Sequence, residues 1–398
     1  MNAPLLTRRA FGLAGLSVTL LARAAGAAAT HKKFVVIVCR GGMDGLSVAP
    51  PVGDADYQAL RGALALGDTA LKLDGTFALN PALPSIHALA LAGQARIAPA
   101  VATPDRARSH FEAQDVLETG AGGVYATTSG WLNRTVQAMS AAGKVEAISV
   151  GPTAPLILRG PAAAGSWSPG RSVDAQARLP TLLQDLYRDD PLLGPALARG
   201  LQTETMAKTS GAAGGDDMAA MRPGGGGGAQ NREVARAMGA SLADFLKAPG
   251  GPQLAAVSLD GFDTHANQMG LLGVRLTSLD ALVDGLHTGL GAEWKNTVVL
   301  AVTEFGRTAR ANGTGGTDHG TASTALVMGG ALKPGGIVGD WPTLKRTALF
   351  EDRDVYPATD LRGLSKGLLA EHMGVDRRAL DTLVFPDSAA VRPVLGLV

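Results

Sequence analysis

Three short runs of branched aliphatic residues each break off into a polar cluster, and this repetition restricts the fold more than any other feature of the chain. Residues 34–39 lead into Arg40-Gly41-Gly42-Met43-Asp44, residues 254–259 into Asp260-Gly261-Phe262-Asp263-Thr264-His265, and residues 298–302 into Thr303-Glu304-Phe305-Gly306-Arg307. Runs so short and so uniformly apolar suit strands covered on both faces, as in a parallel sheet. In an open α/β sheet, ligands collect beyond the carboxyl ends of the strands, where loops from separate strands converge. Carboxylates and imidazoles gathered there make a metal centre.

Between these runs the chain alternates β-like segments with Ala/Leu-rich stretches of helical spacing. Strands are expected at 34–39, 95–101, 145–150, 254–259, 297–302 and 324–328, and helices at 83–91, 109–119, 132–142, 179–187, 232–245, 270–290 and 361–372. The predicted class is α/β, a three-layer sandwich around a mostly parallel central sheet. Residues 203–230, with five consecutive glycines at 224–228, read as a low-complexity surface loop, because such a composition buries too little apolar surface to offset its ordering entropy.

The balance of charge excludes one class of partner. With 36 Lys+Arg against 35 Asp+Glu, and no basic block, the footprint of a nucleic-acid binder is missing. Cys39 is the one cysteine, so no internal disulfide forms. At the start, Thr7-Arg8-Arg9-Ala10-Phe11, a short apolar stretch and Ala25-x-Ala27 resemble a twin-arginine signal peptide with its cleavage motif. Residues 1–29 are assigned to it and 30–398 to one domain. The expected location is periplasmic or secreted, the expected export partner is the twin-arginine translocase, and no stable membrane span follows cleavage. The alternative, a retained anchor, would have a short apolar stretch for a span.

Three of the seven histidines sit in polar clusters: His110, His265 and His319. Asp263-x-His265 places two ligand types on one side of an extended segment, and Asp318-His319 lies in a glycine-rich loop before an apolar run. Mixed imidazole and carboxylate donors suit zinc or manganese, whereas magnesium and calcium prefer oxygen. Each cluster also has a plainer reading. Asp263 would cap a helix, Asp44 would brace the glycine turn, and Glu304 would pair with Arg307 or Arg310. Ser109 and Glu112 form a Ser-x-x-Glu capping box, yet a serine at a helix N-terminus is also placed to attack an anionic substrate. No Gly-x-Ser-x-Gly, Walker A, Cys-x-x-Cys or His-Glu-x-x-His pattern is present, and the glycines at 313–320 lack dinucleotide-binding spacing.

Taken together, the leader, Arg40 through Leu46, Arg108-Ser109-His110-Phe111-Glu112-Ala113-Gln114, Asp263-Thr264-His265, Thr303 through Thr308 and Gly339-Asp340-Trp341-Pro342 resemble an exported bacterial family known as domain of unknown function 1501. That family in turn is similar to the alkaline phosphatase and sulfatase superfamily. The resemblance implies an alkaline-phosphatase-like core with metal at the strand ends. It assigns Asp44, Asp263, His265, Glu304, Asp318 and His319 to one or two divalent ions, with zinc or manganese at Asp263/His265/His319 and magnesium or calcium an option at Asp44/Glu304. Ser109 becomes the nucleophile, with His110 as proton donor or further ligand and Arg307, Arg108 or Arg40 as clamps on substrate oxygens. Three features depart from the superfamily: His265 follows Asp263 by two positions rather than four, Glu304-Phe305 replaces an Asp-His pair, and His110 directly follows the serine. The implied activity is hydrolysis of phosphate or sulfate esters, on a small anionic ester or an anionic polymer. The alternatives are a non-catalytic exported binding or assembly protein and a metal-independent serine esterase.

Overall fold

The computed structural model describes residues 32–398 apart from 141–142, 144, 152–153, 211–227 and most of 169–192. The expected leader and most of the expected helix at 179–187 lie outside the described residues. Ten strands follow in order: β1 Lys33–Cys39, β2 Leu71–Lys72, β3 Ala78–Leu79, β4 Ala95–Ala102, β5 Ala147–Val150, β6 Ala164–Trp167, β7 Leu254–Leu259, β8 Thr297–Val302, β9 Ser323–Met328 and β10 Thr359–Asp360. Strands β2 and β3 form a small ribbon, and the other eight form one sheet in the order β10-β4-β9-β8-β1-β7-β5-β6. Within the eight-stranded sheet of the described residues only β9 runs antiparallel to its neighbours, so that sheet is mostly parallel, as its apolar runs imply.

The longer helices are α1 Pro84–Leu91, α2 His110–Thr119, α3 Trp131–Ser140, α4 Leu193–Ser210, α5 Gly228–Lys247, α6 Gln268–Leu290 and α7 Leu361–Glu371. Every residue of β1 is buried, and its alternation sorts the two cores. Val35, Ile37 and Cys39 face Leu242 of α5 with Leu282 and Leu286 of α6, while Phe34, Val36 and Val38 face Trp131 and Leu132 of α3 with Leu364 and Leu368 of α7. Helices therefore cover both faces of the sheet. At about 1.5–3 kcal/mol for each fully buried large aliphatic side chain, these two cores dominate the folding energy.

The low-complexity segment is narrower than its composition suggests. Helix α4 runs through Ser210 and α5 begins at Gly228, so only 211–227 of the expected loop lies outside the described residues. Residues 203–210 contain no glycine, and Ala207 packs into the core. Strand β6, Ala-Gly-Ser-Trp, carries no β-branched residue and owes its state to pairing with β5.

Register positions the site. Cys39 pairs with Leu259 and Val38 with Val302, so Arg40, Asp260 and Thr303 leave the sheet at one level of one edge. Among the described residues no helix is long and apolar enough to cross a membrane.

Candidate metal centre

Beyond β1 the chain turns through Gly41 at φ +119° and Gly42 at φ +67°, conformations that L side chains rarely adopt. Space is as restrictive as conformation. A Cβ on Gly41 would lie 2.4 Å from the Asp263 backbone nitrogen, and one on Gly42 would lie 2.5 Å from the Phe305 ring. The loops after β1, β7 and β8 thus touch one another, which requires glycine at both positions. Both glycine N–H groups donate to Glu304 Oε1, at 2.8 and 3.1 Å.

Glu304 is fully buried and also receives Thr303 Oγ1 at 3.0 Å and His110 Nδ1 at 2.8 Å. Burial acts to raise its pKa, but the hydrogen bonds from His110, Gly41 and Thr303 outweigh that and hold it below the ordinary value. A carboxylate only accepts, so His110 carries its proton on Nδ1 and turns the lone pair of Nε2 toward the strand ends. Nε2 is buried, makes no hydrogen bond, and stands 3.5 Å from Asp263 Oδ2.

His319 is fixed by the same logic. Its Nδ1 donates to the carbonyl of Arg108 at 3.0 Å, which leaves the lone pair on Nε2, 3.3 Å from Asp263 Oδ1. That carbonyl is aimed by Arg108 in a left-handed conformation, φ +57°, its guanidinium held by Asp354 at 2.9 Å and Glu351 at 2.6 Å. The ligand atoms of His110, Asp263 and His319 all lie within 4.8 Å of one another. His265 stands beside two of them: its Nε2 is 3.0 Å from both His319 Nε2 and Asp263 Oδ1.

The Nε2 lone pairs of His110 and His319 converge with the Asp263 carboxylate, so these three side chains could hold a divalent ion, with His265 beside them. The charges respond accordingly. The hydrogen bond to Glu304 raises the pKa of His110, whereas burial, with His110 and Arg307 nearby, lowers that of His319. Burial works against the ionised form of Asp263, yet Arg307 keeps its pKa below the usual range. That guanidinium is itself buried and donates from Nη1 to Asp263 Oδ1 at 2.7 Å and from Nε to Thr317 Oγ1 at 3.2 Å.

The structure brings together Asp263, His265 and His319 of the expected ligands and sets His110, expected as proton donor or further ligand, beside Asp263 and His319. Asp44 is not brought in. Its Oδ1 caps the turn at Leu46, while Oδ2 is taken by Ser47 Oγ, Arg61 Nη2 and Gln268 Nε2, all buried. Glu304, expected as a ligand, is saturated by its hydrogen bonds and orients His110 instead. Asp318 stands outside the group, bonded to Asn312 at 3.2 Å and lying 3.4 Å from His265 Nδ1. Arg40 is engaged by Glu118 and Gln114, and Arg108 by Asp354, so of the three arginines only Arg307 contacts the group directly through its side chain. Ser109 occupies the N-cap of α2 but makes no side-chain capping hydrogen bond, so the Ser-x-x-Glu box is not formed.

Sequence reasoning missed Arg61 and Gln268. Gln268 links the regions: it donates to Asp44, and its Oε1 accepts from Thr317 Oγ1 at 2.6 Å, the hydroxyl that receives Arg307 Nε. Nothing local marks either residue, because each acts across long sequence separations.

Similar solved structures include Ps i-CgsB in complex with k-i-k-neocarrahexaose, at 11% identity and TM-score 0.40, covering 91% of this chain and 77% of that one. Alkaline phosphatase from the Antarctic bacterium TAB5 is similar at 11% identity and TM-score 0.38, covering 77% and 94%. A protein of the alkaline phosphatase superfamily from Vibrio parahaemolyticus follows at 10% identity and TM-score 0.36, covering 77% and 63%. Comparison with curated protein sequences gives no match. The family model described as protein of unknown function, DUF1501, matches residues 76–384, which include Ser109, His110, Asp263, His265 and His319. The chain belongs to the DUF1501 family.

Proposed function

We propose that this chain is a metal-dependent hydrolase of phosphate or sulfate esters, holding one zinc or manganese ion on His110, Asp263, His265 and His319. The observation that carries this reading is the buried, unpartnered Nε2 of His110, oriented by Glu304 toward Asp263 and His319. When bound, the ion supplies a Lewis acid for negative charge developing on the ester oxygens. Ser109 directly precedes a ligand and stands at the N-terminus of a ten-residue helix, where free backbone N–H groups favour an anion. Its Oγ attacks phosphorus or sulfur, the ester bond to the alcohol breaks, and water then releases the anion from the serine. Arg307 keeps Asp263 ionised. The Arg8-Arg9 leader supports export by the twin-arginine pathway to the periplasm or medium.

Ser109→Ala should abolish turnover of aryl phosphates or sulfates while leaving bound metal and melting temperature unchanged. If wild-type protein loaded with zinc, manganese, magnesium or calcium turns over neither ester class, the chain is a binding protein and the proposal fails. Turnover that survives chelation would instead identify a metal-independent esterase.

A further inference from the structure

A cavity of about 300 Å³ lies along α2 beside the metal centre, lined in part by Gln114 and Glu118, which follow His110 on the same helical face. Phe111, Gln114 and Glu118 of α2 line it, one helical face by their spacing, with Arg40 at the end of β1 and Tyr125 and Arg159 completing the wall. Gln114 belongs to both spaces: its Oε1 accepts from Arg40 at 3.3 Å, and its Nε2 lies 3.5 Å from the Glu304 oxygen that holds His110.

Two aromatic rings are presented to solvent there, Phe111 at 84% exposure and Tyr125 at 71%. Burying rings of this size elsewhere would be favourable, and Tyr125 is held out at further cost. It adopts a left-handed backbone, φ +54°, fixed by its N–H donating to Asp115 Oδ2 at 2.7 Å. The charges divide unevenly. Glu118 is consumed by Arg40 and by the Ile157 N–H at 2.8 Å, and Asp115 by Tyr125. Arg159 is exposed and makes no direct ion pair among the described residues, although its charge acts on Glu118.

We infer that this cavity receives the organic group of the ester, a ring lying against Phe111 and Tyr125 and bearing a second negative charge directed to Arg159. The inference rests on the hydrolase reading for its link to the ester and on the cavity alone for its ligand chemistry. Aromatic faces accept a flat or chair-shaped ring, and an uncommitted guanidinium selects an anionic substituent.

Phe111→Trp places a fluorescent reporter in the wall, read against wild-type protein as background. Titration with 4-nitrobenzoate should quench it saturably, and 4-nitrobenzyl alcohol should need about fivefold more to reach half-quenching. Adding Arg159→Ala should bring the acid to the level of the alcohol, while Arg159→Lys should retain the preference. Linear, non-saturating quenching by both compounds, or a preference unchanged by Arg159→Ala, would overturn the assignment. The titration needs neither metal nor turnover. Failure to saturate in protein that hydrolyses esters therefore refutes the cavity alone, and saturation in protein that hydrolyses nothing refutes the hydrolase alone.

Discussion

Asp44 and Asp263 follow adjacent strands, β1 and β7, at the same edge of one sheet, yet their surroundings make them opposites. Asp44 is 1% exposed, and a buried guanidinium, a hydroxyl and a carboxamide consume its oxygens. Asp263 keeps a 41% exposed side chain, shares one oxygen with Arg307 and faces three imidazole nitrogens. The first is a closed ion pair whose cation is part of the chain. The second is a half-exposed pair in which Arg307 takes one oxygen and imidazoles crowd the same carboxylate. The lesson is that a carboxylate at a strand end stays open to a ligand only where its protein partners leave one of its oxygens exposed: Arg307 takes Asp263 Oδ1, whereas both Asp44 oxygens are consumed.

The widest separation between the two regions should come from paired variants. Arg61→Ala strands a buried carboxylate and should cost about 3–5 kcal/mol of stability in urea titrations, with zinc still bound in the surviving folded protein. His319→Ala should do the reverse, removing zinc by elemental analysis while leaving metal-free stability nearly intact. Should Arg61→Ala empty the site without unfolding the chain, Asp44 belongs to the metal centre after all.

A histidine at the other end of β1 provides a smaller contrast. His372 is buried with Nε2 3.0 Å from the Lys33 carbonyl, and burial lowers its pKa to about 4. Its folded pKa is below the ordinary value of about 6.5, so the unfolded chain binds the proton first. The stability it contributes is complete above about pH 6.5 and is lost as pH falls toward 4, by roughly 2 kcal/mol at pH 5. In His372→Gln that portion of the pH dependence should vanish, whether or not metal is present. An unchanged slope would place the titration elsewhere.

The smallest effect tests orientation alone. Glu304→Gln preserves shape but presents an amide to His110, loosening the tautomer that aims Nε2 at the ion. Zinc affinity should fall about tenfold, measured by competition with a chelator. Equal affinity would show that Glu304 merely braces Gly41 and Gly42.

The course of the chain was largely legible in advance. The strands at 254–259 and 297–302 agree with the structure residue for residue and that at 34–39 gains only Lys33, because uniformly apolar runs have few other stable homes. Strands β6 and β10 were not legible, since they are short or lack β-branched residues and exist through their partners. The same divide runs through the site. Asp263, His265 and His319 announced themselves through local spacing, whereas the role of His110 depended on Glu304, 194 residues away.

By itself, then, the sequence determined an α/β sheet with polar clusters at one edge and the residues eligible to bind an ion there. Local periodicity and residue chemistry suffice for that. Only the tertiary structure decided which carboxylates are free. Arg61 reaches Asp44, the glycine turn and His110 saturate Glu304, and the Arg108 carbonyl orients His319. Hydrogen-bond saturation is a property of neighbours in space, and these neighbours are brought together by strand register rather than by proximity along the chain.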